Sequence, residues 1–512
     1  MKILSVDKIK EADAYTIENE PIADIDLMER AATELFEWIL AKTNPNKKIK
    51  VFCGLGNNAG DGFAVARMLT GANFEVEVFV VRYSEKMSPS CATNYDRLKK
   101  LASQTGVENL KTEEIKDSDA LPGLSDDDIV IDAIFGSGLT RQVKGFIAKV
   151  IDHINDSKAV VIAIDTPSGF FCDETNTTNN GSIIKADYTL TIQFPKFGFM
   201  FTENDEYVGQ WEVMPIGLHP DFIEKVKVNN HFIECNDCKS VIKRRNKFSH
   251  KGTFGHGLLI AGSYGKMGAA VLAAKAGLKA GAGLITTHIP KKGYDIIQTA
   301  VPGAMVSIDI DKKVFSEVPD ISAYNAIAVG PGLGTDEKSQ KALKLLIQNS
   351  ALPIIFDADA INILGENKTW IPFIPKGSIF TPHPKEFERL AGQSKDNFDR
   401  NRMQREFSIK YSVYVVLKGA HTAITCPDGT CYFNSTGNPG MATGGSGDVL
   451  TGILLGLKAQ GYTSKETCIL GVYIHGQAGD IAAEKWGYEA LTAGNITHNL
   501  GKAFQKVIFI NR

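Results

Sequence analysis

Two groups of residues in this 512-residue chain have the types and spacing that chemistry requires. The first is spread over three turns. Gly54-Leu55-Gly56-Asn57-Asn58-Ala59-Gly60-Asp61-Gly62 follows one apolar run. A second run ends in Asp132 and leads into Phe135-Gly136-Ser137-Gly138-Leu139-Thr140-Arg141, and a third leads into Asp165-Thr166-Pro167-Ser168-Gly169. Glycines let a backbone bend sharply and approach a ligand, and a helix N-terminus after such a turn favours phosphate. In an open parallel sheet, ligands bind beyond the carboxyl ends of the strands, so the three turns are expected to converge on one crevice. Taken singly, each piece fits a tight turn equally well, and Asp132 or Asp165 fits a helix cap. The spacing departs from G-x-G-x-x-G and no acidic residue closes the next strand, which disfavours an ordinary dinucleotide-binding domain.

The second group is denser. Asn438-Pro439-Gly440-Met441-Ala442-Thr443-Gly444-Gly445-Ser446-Gly447-Asp448-Val449-Leu450 joins a glycine run to an apolar helical pattern. Free backbone N–H groups at such a helix start form an anion cradle suited to a phosphoryl group in transfer. Asp448 stands where it can take a proton from an attacking hydroxyl. No Gly-Lys-Ser/Thr follows, so this is not a P-loop; the plain alternative is a helix capped by Asp448. Lys418-Gly419-Ala420-His421-Thr422 follows a buried strand, a natural place for nucleotide contacts. Thr381-Pro382-His383-Pro384-Lys385-Glu386 puts a histidine at a proline-initiated helix start, although His383 alone fits a structural or surface role. Gly330-Pro331-Gly332-Leu333-Gly334 is a further strand-end turn.

Parallel α/β sheets would position both groups. Ile49–Cys53, Val76–Val81, Ile129–Ala133 and Val160–Asp165 read as strands, with a helix over Gly62–Leu69. Leu258–Ala261, Leu284–Ile289, Ile327–Gly330, Ile354–Asp357 and Val413–Leu417 repeat the rhythm. These runs are too apolar to alternate, as expected of strands covered by helices on both faces. A chain of this length exceeds one ordinary core. The weakly periodic Pro215–Asn236 marks the break, giving domains 1–222 and 237–512 around a linker 223–236. No internal repeat suggests duplication.

Composition narrows the function classes. With 43% hydrophobic and 22% charged residues the chain is globular, and a net charge of -3 gives no global attraction to nucleic acid or an anionic membrane. The charged N-terminus lacks a secretion signal and no window approaches a membrane span, so a cytoplasmic protein is expected. Cys235 and Cys238 form a lone C-x-x-C, read as two free thiols in a linker, since no second pair completes a zinc site. Lys243-Arg244-Arg245-Asn246-Lys247 reads as a solvated helix or linker face, the rival being contact with substrate phosphates.

The N-terminal turns, together with Leu27-Met28-Glu29-Arg30-Ala31-Ala32, resemble the NAD(P)H-hydrate epimerase family, whose fold is Rossmann-like with three layers. Departures are small: Ala59 replaces a usual glycine and Thr166 a usual aliphatic residue. The resemblance implies that Asn57, Asn58, Ala59, Gly60 and Asp61 contact the hydrated nucleotide, as do Gly136, Ser137, Gly138, Leu139, Thr140, Arg141 and Gln142. It implies Asp165 as a substrate-contacting acid or base, and Asn58, Asp132 and Ser168 as oxygen ligands to potassium, a donor set that suits a hard cation. Proton shuttling by Asp165 would serve either reversible ring opening or loss of the hydroxyl.

From Ser249-His250-Lys251-Gly252-Thr253-Phe254-Gly255 onward, through Asp357-Ala358-Asp359-Ala360-Ile361-Asn362 and the dense group, the chain resembles the ADP/ATP-dependent NAD(P)H-hydrate dehydratase family. Its fold is ribokinase-like α/β, and the resemblance covers residues 235–505. It implies that Ala269, Gly334, His383 and Asp448 contact the hydrate, while Lys418, Gly419, Ala420, His421, Thr422 and Gly447 contact the nucleotide. Asp448 would help the hydrate's hydroxyl attack the terminal phosphate, and the ring nitrogen would then expel phosphate. Magnesium is expected with the nucleotide, ADP is favoured over ATP, and a homo-oligomer is usual for the family. A true small-molecule kinase and a non-catalytic N-terminal binding module are the rivals. The first gives the N-terminal half no role; the second predicts loss of Asn58, Asp132, Asp165 and Ser168, all of which are present.

Overall fold

The computed structural model describes residues 1–117 and 119–509. It forms two compact units, Lys2–Val228 and Asn229–Arg512.

The first unit is built on seven strands: β1 (Lys48–Cys53), β2 (Glu75–Val81), β3 (Leu110–Ile115), β4 (Asp128–Ala133), β5 (Val160–Ile164), β6 (Tyr188–Ile192) and β7 (Gln210–Met214). They lie in the order β3-β2-β1-β4-β5-β6-β7, every pair parallel. Strand order therefore runs outward in opposite directions from β1 and β4. Their last residues, Cys53 and Ala133, are register partners, so the turns that follow begin level with each other. The Rossmann-like, three-layer expectation rests on alternate side chains. Ile49, Val51 and Cys53 of β1 enter a core on one face, and Phe52 enters the core on the other.

The helix after β1 differs from expectation. It spans Asn57–Gly71 and starts five residues before Gly62, with Gly56 as an extended N-cap. Most of the glycine-rich stretch is thus the first helical turn and not a loop. Its glycines exist for close packing: a Cβ on Gly62 would stand 2.6 Å from the Ala133 Cβ, and one on Gly60 would stand 2.6 Å from the Met28 sulfur. This crowding overrides the low helix propensity of glycine. At Gly54 the reason is again proximity, since a Cβ would meet the Ile134 carbonyl oxygen at 2.1 Å.

The second unit carries β8 (Asn230–Phe232), β9 (His256–Ile260), β10 (Leu284–Ile289), β11 (Met305–Ile308), β12 (Ala326–Val329), β13 (Ile354–Phe356), β14 (Ile379–Phe380), β15 (Tyr414–Leu417), β16 (Ala423–Thr425) and β17 (Cys431–Phe433). Their order is β8-β17-β16-β15-β14-β13-β12-β9-β10-β11, with antiparallel pairing only at β15–β16 and β16–β17. The switch in direction falls between β9 and β12. Leu258, Ile260, Ile327 and Val329 face one core, while Leu259, Ala261, Ala326 and Ala328 face the other. This is the α/β class expected. On the second face, helix α1 (Met267–Lys279) packs unusually close to α2 (Ser446–Ala459). A Cβ on Gly452 would stand 2.1 Å from the Ala273 carbonyl oxygen, and one on Gly456 2.5 Å from that of Gly277.

Of two linker readings, one is revised. Cys235 and Cys238 are free thiols, but they sit on a helix, Cys235–Val241, with Cys238 fully buried. The basic stretch Lys243–Lys247 is irregular backbone and exposed throughout, as a solvated linker face would be. Lys243 donates to the Gly461 carbonyl at 2.7 Å and lies over the Tyr462 ring; Arg245 donates to the Gly281 carbonyl at 2.7 Å and lies over the Phe254 ring. Their long apolar stems find packing surface that a charge count does not reveal. No helix among the described residues is long and apolar enough to cross a membrane.

Candidate active sites

In the first unit a cavity of about 410 Å³ opens at the carboxyl ends of the strands, at the switch point. Asn57, Asn58 and Asp61 line it from the first turn, Gly136, Ser137, Gly138 and Leu139 from the second, and Asp165 from the third. Asp165 adopts φ 63°, a left-handed conformation rare for a residue with a side chain. It is held there by its own carboxylate. Oδ1 pairs with the Lys196 ammonium at 2.7 Å and accepts the Ile192 N–H at 3.2 Å, while Oδ2 accepts the Ser137 N–H at 3.2 Å. Burial alone would raise its pKa, but the Lys196 charge and these hydrogen bonds outweigh burial and hold the carboxyl below its ordinary value. Lys196 is 1% exposed and also donates to the Phe194 carbonyl at 3.0 Å.

The neighbouring carboxyls behave oppositely. Burial, followed by the Asp165 charge, pushes Asp13 up to about 7. Asp61 is driven well above the usual carboxylate range by burial, then by Asp165 and Asp13. One pocket thus holds a carboxyl kept below its ordinary pKa beside two that burial raises well above it.

The remaining expected residues lie elsewhere. Ala59 is fully buried in the core and Gly60 packs against Met28, because the helix that begins at Asn57 turns both away from the cavity. Thr140 and Arg141 are exposed on the loop beyond Leu139, and Gln142 donates to the Thr178 carbonyl at 3.4 Å; none of the three lines the cavity. Asp132 and Ser168 lie beneath it, fully buried. Asp132 accepts the Ser168 hydroxyl at 2.6 Å and its N–H at 2.7 Å, and burial raises it to about 6 despite these bonds. The Ser168 oxygen accepts the Phe135 N–H at 2.8 Å, one residue before Gly136, whose Cβ position is 3.2 Å from Asn58. Both polar atoms of the Asn58 carboxamide are buried without a hydrogen-bond partner. Such an orphan is costly unless something else satisfies it.

In the second unit a cavity of about 890 Å³ is lined by Lys418, Gly419, Ala420, His421 and Thr422 after β15, and by Ser446 and Gly447 at the start of α2. His383 lines it as well, joining the group expected to hold nucleotide. That histidine also caps the helix Pro384–Ala391, accepting the Glu386 N–H at 3.4 Å while Glu386 accepts its own N–H at 2.8 Å. Asp448, Ala269 and Gly334 do not line this cavity. A Cβ on Gly332, two residues before Gly334, would stand 3.0 Å from the Ala269 Cβ, and the Gly334 N–H donates to Asp359 at 2.8 Å. Asp448, the third residue of α2, feels Asp359 electrostatically; burial first, then Asp357, push it up to about 7 against the lowering effect of Lys418.

Sequence reasoning missed the groups that connect these parts. Asp357 is nearly inaccessible and accepts from Thr381 at 2.7 Å, Thr451 at 2.7 Å and Lys418 at 3.1 Å, so one carboxylate ties β13, α2 and the nucleotide turn together. Its signal was an aspartate at a strand end. His475, pushed down to about 4 by burial, faces the Ser446 hydroxyl at 3.3 Å. In the first unit Asp13, Tyr83, Gln193 and Lys196 were missed; the first three line the cavity, and none stands in a motif. Among the described residues no group of three or more His, Cys, Asp or Glu could hold a metal ion.

Residues 24–198 match the family model described as "YjeF-related protein N-terminus", and residues 257–502 match "NAD(P)H-hydrate dehydratase". The bifunctional NAD(P)H-hydrate repair enzyme of Thermofilum pendens is 34% identical over 99% of this chain and 96% of its own length. That of Moorella thermoacetica is 34% identical over 97% and 95%. Among solved structures, an ADP/ATP-dependent NAD(P)H-hydrate dehydratase from Bacillus subtilis, co-crystallised with ATP and Mg2+, is 28% identical. It aligns with 55% of this chain and all of that one at a TM-score of 0.48. By identity sustained over essentially its whole length, this chain belongs to the bifunctional NAD(P)H-hydrate repair enzymes.

Proposed function

We propose that the first unit interconverts the R and S epimers of NADH and NADPH hydrate, and that the second dehydrates the S epimer with ADP, yielding AMP and phosphate. The observation that carries this reading is Asp448. A carboxyl raised to about 7 stands in the first turn of the helix whose N-terminus lines the nucleotide cavity, within electrostatic reach of Asp359, which accepts the Gly334 N–H.

The chemistry follows. Hydroxide is a poor leaving group. Asp448 takes the hydroxyl proton as the substrate oxygen attacks the β-phosphorus of ADP, and AMP departs. Backbone N–H groups from Gly445 to Gly447 stabilise the charge on the transferring group. The ring nitrogen's lone pair expels phosphate, and loss of a proton from the adjacent ring carbon restores the dihydropyridine. The net reaction is a lyase reaction that begins like a kinase. Magnesium, if bound with the nucleotide, would neutralise phosphate charge during the transfer.

In the first unit, Asn57, Ser137, Gly138 and Leu139 seat the hydrated ring and Asp165 exchanges its proton. Asn58, Asp132 and Ser168 would supply oxygen donors to a potassium ion, and the Asn58 carboxamide oxygen is buried without a hydrogen-bond partner. When bound, potassium supplies a fixed positive charge to the loop at Phe135–Gly136.

The test uses racemic NADH hydrate with magnesium and either ADP or ATP, following the return of dihydronicotinamide absorbance at early times. Parent chain should recover all the hydrate. Asp165→Asn should recover the S half quickly and the rest only at the spontaneous rate, and Asp448→Asn should recover none. A parent chain that recovers nothing with either nucleotide removes this reading.

A further inference from the structure

The cavity of the first unit contains a second carboxyl group that the family motifs do not point to. Asp13 lies on the helix Val6–Asn19 and lines the same cavity as Asp165. The two differ in their surroundings. Asp165 spends one oxygen on Lys196 and the Ile192 N–H and keeps only the Ser137 N–H on the other. No hydrogen bond to another described residue occupies the Asp13 carboxyl, which leaves it free toward whatever enters.

We propose that Asp13 is the general acid of epimerisation and Asp165 its general base, an extension that rests on the epimerase reading above. The carbon that inverts carries a hydroxyl and the ring nitrogen, and exchange of its faces needs one proton taken and one given. Asp165 takes the hydroxyl proton; the O–H electrons form a carbonyl, the carbon–nitrogen bond breaks, and Asp13 gives its proton to the departing nitrogen. The carbonyl carbon then rotates. Closure on the opposite face returns the nitrogen's proton to Asp13 and the Asp165 proton to the new hydroxyl. Atoms balance and both carboxyls end as they began.

The environment supports this division of labour. Two carboxyls whose surroundings drive their pKa values apart are a recurrent acid–base arrangement. Burial and the Asp165 charge keep Asp13 protonated up to about pH 7, while Lys196 keeps Asp165 ionised. The charged and titratable groups that bear on Asp13 are Asp165, Lys196 and Asp24, with Asp61 and Lys10 on the same cavity wall. Only Lys196 among them lowers its pKa appreciably, and that ammonium is already engaged by Asp165.

The experiment measures inversion of isolated R-NADH hydrate by chiral separation in the full chain, across pH. Asp13→Asn should lower kcat for inversion by about 10²–10⁴-fold. KM should stay within a few-fold. The fall in the parent's rate as pH rises through about 7 should vanish in Asp13→Asn, and Asp13→Glu should restore part of kcat together with that alkaline limb. The S-specific dehydration by the same preparation should be unchanged. A parent that inverts the substrate while Asp13→Asn keeps its kcat, or keeps the alkaline limb, overturns the role of Asp13 and leaves the epimerase reading intact. A parent that does not invert the substrate overturns both.

Discussion

Replacing Lys196 by methionine should do more damage than its position outside any motif suggests. The ammonium is 1% exposed and stands 2.7 Å from Asp165. At an effective dielectric of about 20, that separation corresponds to a gross attraction of roughly 6 kcal/mol. Much of this is offset by desolvation of both ions, but removing one partner strands the other as a buried, uncompensated charge, which costs about 3–5 kcal/mol. For a unit of this size each kcal/mol moves Tm by about 2–4 °C, so the first unit should melt about 6–20 °C earlier. The pH dependence carries the diagnosis. In the parent, Asp165 has a depressed pKa, so its stabilising contribution is complete above the ordinary carboxylate value and is lost as pH falls through the folded value. In Lys196→Met the lowering charge is gone and burial dominates, so acid now relieves the stranded carboxylate. The Tm difference between parent and variant should be largest at about pH 8 and shrink toward about pH 5. Asp165→Asn combined with Lys196→Met should cost clearly less than the two singles added. Calorimetry on the full chain measures all of this, with the transition of the second unit as internal reference. A variant that melts within a degree of the parent at every pH, or a strictly additive double variant, would refute the buried-pair argument.

Other consequences are more local. Because Asp448 acts ionised and its pKa is raised to about 7, kcat/KM for dehydration should climb with pH to about 7 and then level; a profile flat from about pH 5 to 8 would remove it as the base. Gly452→Ala drives a methyl group to within 2.1 Å of the Ala273 carbonyl, so α1 and α2 must part, at about 1–3 kcal/mol. Its signature is earlier melting of the second unit together with slower dehydration, since α2 carries Asp448; unchanged melting would contradict the close approach. If the orphaned Asn58 carboxamide faces potassium, exchanging potassium for choline at constant ionic strength should lower the first melting transition of the parent but not of Asn58→Ala. Equal shifts in both would dismiss that site.

Much was legible in the sequence because it is encoded locally. Apolar runs such as Ile129–Ala133 and Ile354–Phe356 report strands buried on both faces, and turn residues at their ends report where a parallel sheet must bind its ligand. The glycine-rich stretches were visible too, yet their meaning was not. Gly60 and Gly62 look like loop residues, and only the approach of Met28, Cys53 and Ala133 makes them helical packing residues. That shift of the helix start rotates Ala59 and Gly60 away from the cavity while leaving Asn57, Asn58 and Asp61 on it.

What tertiary structure alone decided is the electrostatics. Asp13, Asp61 and Asp165 are the same residue type, and nothing in their neighbouring residues foretells that one has its pKa lowered and two have theirs raised. The distinction comes from Lys196, thirty-one positions beyond Asp165, and from the depth at which each carboxyl sits. The tie of Asp357 to Thr381, Lys418 and Thr451 is equally non-local, reaching up to 94 positions along the chain. Sequence pattern specifies which backbone forms and which face is apolar, because those depend on periodicity within a few residues. Charge state and proximity depend on burial and on partners brought together only when strands distant in sequence become neighbours in a sheet.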